Sequence, residues 1–350
     1  YEARRFGVHS AMASAEARRL CPQAIWTHGH FDRYREVSAQ VMAILAEETP
    51  RVERVSIDEA FIDITPGRFA PEDPLLVARR ISDRVAGLGV TCSIGVGCNK
   101  TVAKIASERD KPFGLTIVRP GTEQRFLAAL PVSAMSGIGR SAEERLRRMR
   151  IYTLGELSRA PESTLASIFG VNGERMRQRA LGLEISEVTS LDEEREVKSV
   201  SNERTFAKDL TERREIEAAI ALLGESVGRR LRRQGLTGAT VTLKLKYTYG
   251  SGRSAQRRLL HPTDDENIFV AVALELLDNI WQEGMHVRLA GIGMSDFDHQ
   301  GGIQTDLFCE IDDRGAQSSD RRDLSVAIDA VRDKFGDTAL SFGRQSRFND

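Results

Sequence analysis

Residues 93–114, SIGVGCNKTVAKIASERDKPFG, decide the fold of the chain around them. They predict an apolar strand over 89–97 that ends in glycines, a helix over 100–109 and a Pro-x-Gly turn. Strands that alternate with helices favour an α/β or α+β sheet domain over 30–118. The preceding segments continue this alternation, with helices predicted over 11–24, 31–48 and 75–88 and a strand or hairpin over 52–64.

The rest of the chain divides into a helical part and a mixed part. Residues 121–187 are predicted as helices with short turns, and the charged stretch that follows is typical of a linker between domains. Residues 198–297 carry the order β-α-β-β-α-β, which indicates a second, smaller α+β unit. A polar, acidic tail follows, with one amphipathic helix whose apolar stripe includes Leu324 and Phe335. The predicted fold class is α+β multidomain.

The composition excludes several classes of protein. The 350 residues are 41% hydrophobic and 29% charged, which is typical of a soluble globular chain and argues against disorder. No window of roughly eighteen apolar residues predicts a transmembrane helix. The sequence has no apolar signal core, and its four cysteines form neither a CxxC pair nor a metal-ligand spacing. We therefore expect a cytoplasmic protein with reduced thiols that acts as a monomer.

Charge is distributed unevenly along the chain, although the net charge is only −1. Residues 226–260 contain nine basic side chains and no acidic one, whereas residues 261–350 contain eight basic and eighteen acidic ones. Lys244 and Lys246 are two apart on a predicted strand, so they share a face. The basic stretch is consistent with a groove that follows a nucleic-acid backbone and equally with a solvated protein surface.

The adjacent carboxylates Asp58 and Glu59 lie in SIDEAFID, residues 56–63. Neighbouring residues of a strand point to opposite faces, so such a pair can converge on one site only at a turn or a strand end. A converging pair suits a hard divalent cation such as Mg2+, which prefers oxygen ligands and often binds substrate phosphates as well. A pair of acidic residues on an ordinary surface turn is the alternative.

Three of the eight lysines follow the glycine-ended strand closely: Lys100, Lys104 and Lys111. A phosphate loop requires a glycine directly before its lysine, and Asn99 stands there instead, so the P-loop interpretation fails. Lys111 precedes a Pro-x-Gly turn, from which a cation can reach a triphosphate. A solvated helix face that carries the lysines is the alternative.

The stretch SGIG, residues 136–139, lies between two predicted helices, and residues 169–182 are a looser second copy. In a helix-hairpin-helix, the glycine turn exposes backbone N–H groups, and the N-terminus of the second helix faces a DNA phosphate. Contacts of this kind do not depend on the base sequence. An ordinary helical hairpin with a glycine cap is the alternative.

These elements occur in one order, and together they resemble the Y-family DNA polymerases, most closely the DinB branch. The resemblance implies a translesion polymerase: template-directed DNA synthesis past damaged bases by two-metal catalysis with Mg2+, and no proofreading nuclease. It covers nearly the whole chain and rests on YEARRFGV (1–8), SIDEAFID (56–63), SIGVGCNKTVAKIAS with KPFG (93–114), SGIG (136–139), KSVSNERTF (198–206) and VRLAGIGMSDF (287–297).

The resemblance also implies the architecture of a right hand. It divides the chain into partial fingers (1–29), a partial palm (30–118), a helical thumb (119–187), a linker (188–197), a little-finger domain (198–297) and a tail (298–350).

Roles in catalysis follow from the resemblance position by position. Asp58 and Glu59 match the palm carboxylates: Asp58 would bridge both metal ions, and Glu59 would bind the ion that activates the primer 3′-OH. Tyr1, Arg4 and Lys111 match residues that contact the incoming triphosphate.

Other positions match residues that contact DNA or the sliding clamp. Ser10 and Ala11 match small residues near the templating base, and Ser56 matches a residue near the primer end. The implied contacts to the DNA backbone are Gly137, Ile138, Gly139, Arg204, Lys244 and Lys246. The pentapeptide QTDLF is similar to segments that dock on the sliding clamp through an aliphatic and aromatic anchor. Its docking residues would be Gln304, Leu307 and Phe308.

The chain departs from the family at its start. The family opens with a strand that carries an Asp-x-Asp-x-Phe type motif, which supplies a further metal-binding Asp and the aromatic residue that excludes ribonucleotides. Here Tyr1 already falls in the fingers, and no acidic residue before Asp58 lies in an apolar strand. We therefore expect a truncated chain with no or very poor polymerase activity. A non-catalytic adaptor of the same family that binds DNA and the clamp is the alternative, although an adaptor has no use for Asp58, Glu59 and Lys111.

Overall fold

The computed structural model describes residues 1–67, 72–191, 193, 196–248, 250–297, 314–336 and 339–340, with the backbone alone for 314–323. The chain forms two compact units, Tyr1–Glu194 and Arg195–Asp350. Each unit contains both helices and strands, so the predicted α+β multidomain class is confirmed. In the described part of the chain, no helix is long and apolar enough to cross a membrane.

The first unit begins with three helices. The predicted helix over 11–24 is shorter than expected, whereas the other two predictions are confirmed almost to the residue. Asp73 caps the third helix by accepting a hydrogen bond from the Leu75 N–H, and Pro74 occupies the first helical position, where its missing N–H costs nothing. The helices are α1 (Ser14–Leu20), α2 (Phe31–Glu48) and α3 (Pro74–Gly87).

Two small sheets follow these helices in the first unit. β1 (Val52–Arg54) and β2 (Ala60–Ile62) form the predicted hairpin, with Glu53 opposite Phe61. β3 (Ile94–Val96) pairs in parallel with β4 (Leu115–Ile117). In the described residues the expected single sheet over 30–118 is therefore two separate two-stranded sheets.

The prediction of a strand over the whole of 89–97 was wrong, since only three of its residues pair. Gly89 has φ +79°, a left-handed conformation that belongs to the turn after α3 and cannot continue a strand. At the other end, Asn99 already caps the next helix, α4 (Lys100–Arg109), by accepting a hydrogen bond from the Val102 N–H. The predicted helix over 100–109 is confirmed.

The helical part of the first unit has one core. Its most deeply buried side chains are leucines, among them Leu127, Leu146 and Leu154, and α4 contributes Val102 and Ile105 to the same cluster. The prediction of helices with short turns over this region is confirmed. The helices are α5 (Glu123–Ala128), α6 (Arg140–Arg148), α7 (Leu154–Arg159), α8 (Glu162–Phe169) and α9 (Gly173–Leu181).

The second unit has the predicted β-α-β-β-α-β order. Its antiparallel sheet has the strand order β5-β8-β6-β7, with both helices packed on one face. Leu243 and Ile292 are paired and buried under the helices, whereas residues that alternate with them point to the open face. The elements are β5 (Ser199–Leu210), α10 (Arg213–Gln234), β6 (Gly238–Tyr247), β7 (Gly252–Thr263), α11 (Glu266–Ile280) and β8 (Val287–Phe297).

The tail forms the predicted helix, α12 (Arg314–Phe335), but only part of its predicted apolar stripe packs, since Ile328 and Val331 are half-buried and the other two members are exposed. Leu324 and Phe335 are 60% and 66% exposed. The helix also contacts α10 through polar side chains: Arg232 donates to Asp329 over 2.7 Å, and Arg332 donates to Glu225 over 3.1 Å. The two pairs run in opposite directions, so the side of α10 that faces α12 presents both an arginine and a glutamate.

Candidate active site

The turn between β1 and β2 presents the two predicted metal-binding carboxylates. Asp58 lies in the turn and Glu59 directly precedes β2, which is the placement that an adjacent converging pair requires. Ser56 Oγ donates to Asp58 Oδ1 over 2.5 Å and accepts from the Asp58 N–H. Ser38 Oγ of α2 donates to the Ile57 carbonyl over 2.5 Å, which ties the turn to the helix beneath it. Asp58 is exposed and Glu59 partly so, and both are accessible from solvent.

Glu59 is the first member of a chain of ion pairs that ends at Lys111. Lys104 Nζ lies 2.8 Å from Glu59 Oε2 and 3.2 Å from Glu108 Oε1. Lys111 Nζ lies 2.7 Å from the same Glu108 oxygen. The structure therefore connects the predicted metal carboxylate with the predicted triphosphate lysine through Lys104 and Glu108, for which the sequence analysis assigns no separate role.

Both intermediate residues titrate outside their usual ranges. Burial lowers the pKa of Lys104, but its hydrogen bonds to Glu59 and Glu108 outweigh burial, so the net pKa is raised. Burial raises the pKa of Glu108, but the hydrogen bonds from Lys111 and Lys104 outweigh it, and the net pKa is lowered. Both groups are therefore charged at neutral pH.

Lys100, the other lysine of α4, holds the same hairpin from its first strand. Lys100 Nζ lies 2.5 Å from Glu53 Oε2, and the two side chains are only 19% and 12% exposed. The Thr189 N–H also donates to Glu53 Oε2, over 3.2 Å. All three lysines thus pair with glutamates, and only the Lys100 pair is nearly enclosed, since Lys104, Glu108 and Lys111 keep 26%, 47% and 32% of their side chains exposed.

Part of the predicted linker is attached to the first unit. Besides Thr189, Ser190 Oγ donates to the Pro50 carbonyl over 3.2 Å, and Arg51 pairs with Glu193 over 3.0 Å. These contacts fix the stretch at the end of β1, immediately before the carboxylate turn.

The first eleven residues carry four of the predicted substrate contacts. The Arg4 guanidinium lies 4.8 Å from the centroid of the Tyr1 ring, a cation–π contact that brings these two residues together. Ala11 has φ +64°, a left-handed conformation that is uncommon for alanine, and Ser10 is exposed beside it. Within the described ranges, no hydrogen bond or ion pair joins Tyr1 or Arg4 to the carboxylates or to Lys111.

The SGIG stretch forms a turn that leads directly into α6. Gly137 has φ +94°, which glycine adopts without strain, and Gly139 is the N-cap of the helix. Arg179 from α9 donates to the Ser136 carbonyl over 2.8 Å, so the predicted second hairpin holds the first one in place. The element directly before the turn is only a three-residue 3-10 helix, Val132–Ala134, and DNA binding at the turn around Ile138 stays a prediction.

The open face of the second sheet presents a lysine row next to a shallow groove. Lys244 is opposite Gly291 and Lys246 is opposite Leu289, so both lysines lie on this face as predicted. Glu203, which the sequence did not single out, accepts from Lys244 over 2.8 Å. The groove has a volume of about 210 Å³ and is lined by hydroxyl groups of Ser199, Ser201, Thr242 and Ser295.

Arg204 does not share this face with the two lysines. It is paired with Ala290, whose side chain is buried under the helices, so Arg204 lies on the helix side at the edge of the sheet. The structure therefore does not bring the three predicted backbone contacts of this unit together.

Acidic side chains from other parts of the chain pair with several arginines of the stretch 226–260, which itself contains no acidic residue. Arg229 pairs with Asp333 over 2.6 Å, and Arg233 pairs with the same carboxylate. Arg257 on β7 pairs with Glu275 on α11. The acidic tail thus neutralises the basic helix, a relation that separate charge counts for the two segments cannot show.

The carboxylate turn has the donor chemistry for a divalent cation, because Asp58 and Glu59 offer only oxygen ligands. Within the residues that the structure describes, no group of three or more His, Cys, Asp or Glu side chains could hold a metal ion. The pair is thus a partial ligand set, which suits an ion that takes its remaining ligands from water or substrate phosphates. The predicted clamp anchors Gln304, Leu307 and Phe308 lie outside the described residues.

Comparison with known proteins identifies the family. Residues 1–108 match the impB/mucB/samB family, and residues 197–307 match its C-terminal domain. DNA polymerase IV of Lactococcus lactis subsp. cremoris is 37% identical over 299 residues, which cover 85% of this chain and 81% of that protein. The chain belongs to the DNA polymerase IV family. A relative from Dehalococcoides mccartyi is 34% identical over 352 residues, which cover 100% of this chain and 87% of that protein.

Solved structures agree with this family fold. A Y-family DNA polymerase chimera built from Dbh and Dpo4 superposes with a TM-score of 0.73 at 24% identity, covering 85% of this chain and 86% of the other. DinB from Sulfolobus solfataricus superposes with a TM-score of 0.52 at 23% identity, covering 84% and 86%. These structures agree in fold, and the DNA polymerase IV relatives confirm the predicted family and the predicted enzyme class, a DNA-directed DNA polymerase.

Sequence reasoning missed the glutamates that pair with the lysines of the candidate site and of the second sheet. Lys104 and Glu108 are four apart on a helix, so their pairing could have been predicted from spacing alone. Glu53 and Glu203 reach their lysines from distant parts of the chain, and no local pattern indicates them.

Proposed function

We propose that this chain adds deoxynucleotides to a primer under the direction of a template, as a translesion polymerase without a proofreading nuclease. The observation that carries the proposal is the β1–β2 turn, which presents Asp58 and Glu59 next to the lysines of α4. Carboxylates beside cations suit a site where divalent metal ions and a triphosphate meet.

In this proposal each side chain has a defined task. Asp58 and Glu59 hold Mg2+, which when bound neutralises phosphate charge and lowers the pKa of the primer hydroxyl. Ser56 orients Asp58, and Lys111 binds the triphosphate with Tyr1 and Arg4. The primer 3′ oxygen forms a bond to the α-phosphorus, the bond from that phosphorus to the bridging oxygen breaks, and pyrophosphate leaves as the hydroxyl proton passes to solvent.

The same proposal assigns a path to the DNA. The backbone N–H groups of the SGIG turn and the N-terminus of α6 bind phosphates of the duplex, and Lys244 and Lys246 follow its backbone on the open face of the second sheet. Ser10 and Ala11 lie near the templating base, where small side chains leave room for damaged bases. The right-hand division into fingers, palm, thumb and little finger, and clamp docking by residues 304–308, belong to this proposal as well.

A DNA- and clamp-binding adaptor is the second candidate. The observation that favours it is the two-carboxylate set, since no third acidic side chain joins Asp58 and Glu59 among the described residues. A polymerase that binds two ions commonly uses more protein oxygens than this pair supplies. We therefore expect slow extension, and we rank the adaptor second because it has no use for the ion-pair chain from Glu59 to Lys111.

Primer extension separates the two candidates. The chain is incubated with a primed template, dNTPs and Mg2+, beside Asp58→Ala and, as a matched control, Asp83→Ala, which removes an exposed carboxylate of α3. The proposal expects extension by the chain and by Asp83→Ala and none by Asp58→Ala. If the chain binds DNA but shows no extension activity that depends on Asp58, the adaptor is the better explanation.

The proposed DNA path has a separate test on the second unit. Glu203→Gln removes the carboxylate that neutralises Lys244, so DNA binding should tighten about two- to fivefold at low salt and fall more steeply as salt rises. Glu283→Gln, an exposed position in the turn before β8, is the matched control. Equal affinities for the two variants across a salt series would exclude this face as the DNA surface.

A further inference from the structure

α4 faces the β1–β2 hairpin with two lysine–glutamate pairs, and the lysine of only one pair also contacts a second carboxylate. Lys100 and Lys104 are four apart, so they lie on one face of the helix, one pairing with each end of the hairpin. The Lys100–Glu53 pair is nearly enclosed, whereas Lys104 is also bound to Glu108, 3.2 Å away. Lys104 is thus shared between two carboxylates, and Lys100 is not part of the connection to Lys111.

Glu108 is shared in turn. Its Oε1 atom accepts from both Lys104 and Lys111, and its side chain is 47% exposed, so its partners can change without opening the core. A carboxylate that loses one of two cations binds the remaining one more strongly, because the remaining pair no longer competes for the same oxygen. The same holds for Lys104 between its two glutamates.

We propose that Lys104 and Glu108 are positioning residues that couple metal binding at Glu59 to triphosphate binding at Lys111. When a triphosphate takes Lys111, Glu108 is left to Lys104, and Lys104 is drawn from Glu59. The Glu59 carboxylate then becomes available to a divalent ion. The coupling rests on the proposed function, since it requires Asp58 and Glu59 to bind metal and Lys111 to bind phosphate.

Two charge substitutions imitate the end points of this exchange, and neither needs a nucleotide: one frees Glu59 from Lys104, and the other leaves Lys104 on Glu59. Lys111→Met imitates capture of the lysine, and it should tighten divalent-ion binding at the turn. Glu108→Gln leaves Lys104 to Glu59 alone, and it should weaken that binding. We expect changes of about two- to fivefold in each direction, the size typical of partly exposed ion pairs.

The experiment measures Mn2+ affinity of the full chain by the electron paramagnetic resonance signal of free Mn2+, so it does not depend on polymerase activity. The site is defined as the binding that Asp58→Ala removes. Arg109→Met, which removes an exposed cation from the same end of α4, controls for a general change in charge. Glu108→Asp, which keeps the charge, should recover part of the affinity that Glu108→Gln loses.

A Lys104→Met background shows whether the changes in Mn2+ affinity pass through Lys104 or act directly through space. If the coupling passes through Lys104, the effects of Lys111→Met and Glu108→Gln disappear in that background. If they persist there, or if Arg109→Met changes the affinity as much as Lys111→Met, the coupling is refuted while the metal site stands. If the chain binds no Mn2+ that Asp58→Ala removes, the proposed metal site fails first, and the coupling fails with it.

Discussion

Gly95→Ala is the substitution for which the structure gives the clearest magnitude. Gly95 is in the middle of β3, and a Cβ built on it would lie 2.0 Å from the Ala103 carbonyl oxygen and 2.3 Å from the Ser107 nitrogen. Both atoms belong to the backbone of α4, so no side-chain rotation can relieve the clash. Ordinary van der Waals contact begins near 3.4 Å, so the helix has to move away from the strand.

The cost follows from what that movement uncovers. α4 buries Val102 completely and Ile105 almost so, and a shift of the helix separates both from their neighbours. Overpacking of this kind costs about 1–3 kcal/mol. The equilibrium constant for local opening then rises roughly 5- to 150-fold, and so does the rate of hydrogen exchange where exchange follows that equilibrium. The same shift carries Lys104 away from Glu59, so Mn2+ binding at the turn should change as well.

Hydrogen exchange followed by mass spectrometry on peptides that span β3 and α4 measures this opening directly. Gly87→Ala is the matched control: it lies at the end of α3, its added Cβ meets no atom within 4 Å, and alanine is the better helix former. Exchange in these peptides should accelerate for Gly95→Ala alone. Equal protection in wild type and Gly95→Ala would refute the claim that α4 packs against the bare backbone of β3.

Two further predictions concern the thiol beside α4 and the tail helix. Burial and the neighbouring Glu123 carboxylate raise the pKa of the Cys98 thiol to about 11, so its alkylation by iodoacetamide should be slow at neutral pH and rise up to that pH, because only the thiolate reacts. Glu123→Gln should shift the rise to lower pH, and an unchanged profile of the modified peptide by mass spectrometry would count against this environment. Asp329→Asn removes a charged partner from the buried Arg232 guanidinium, so α12 should dock about 1–3 kcal/mol more weakly and its amides should exchange faster, whereas unchanged exchange would show that the pair does not hold the helix.

Local patterns in the sequence were sufficient for the parts of the fold that depend on neighbouring residues. Alternation over 52–64 narrowed the region around Asp58 to a strand or a hairpin, and helix α4 could be predicted because it follows a glycine-ended strand directly. The β-α-β-β-α-β order of the second unit was readable for the same reason. Each of these inferences uses periods and caps that act within about ten residues.

Long-range pairing could not be predicted in the same way. Charge counts favoured a basic surface over 226–260, but Arg229 and Arg232 meet acidic residues that lie about a hundred positions later. The apolar stripe of α12 favoured burial of Leu324, but that side chain is exposed. Asp329 and Arg332 hold the helix to α10, because that side of α10 carries a charged partner for each. A hydrophobic period shows that a helix has two faces, and the composition of the partner decides which of them is covered.

The same limit applies to the candidate site, and it changes the view of how the site binds substrate. A lysine cluster in a sequence suggests free positive charge that waits for phosphate, but Lys104 and Lys111 already have carboxylate partners here. In the proposed coupling, triphosphate binding is an exchange of partners rather than the filling of an empty cationic pocket. The net gain from each lysine is then smaller than that of an isolated cation, and the Glu59 carboxylate, which the exchange releases, is the group available to bind a metal ion that accompanies the nucleotide.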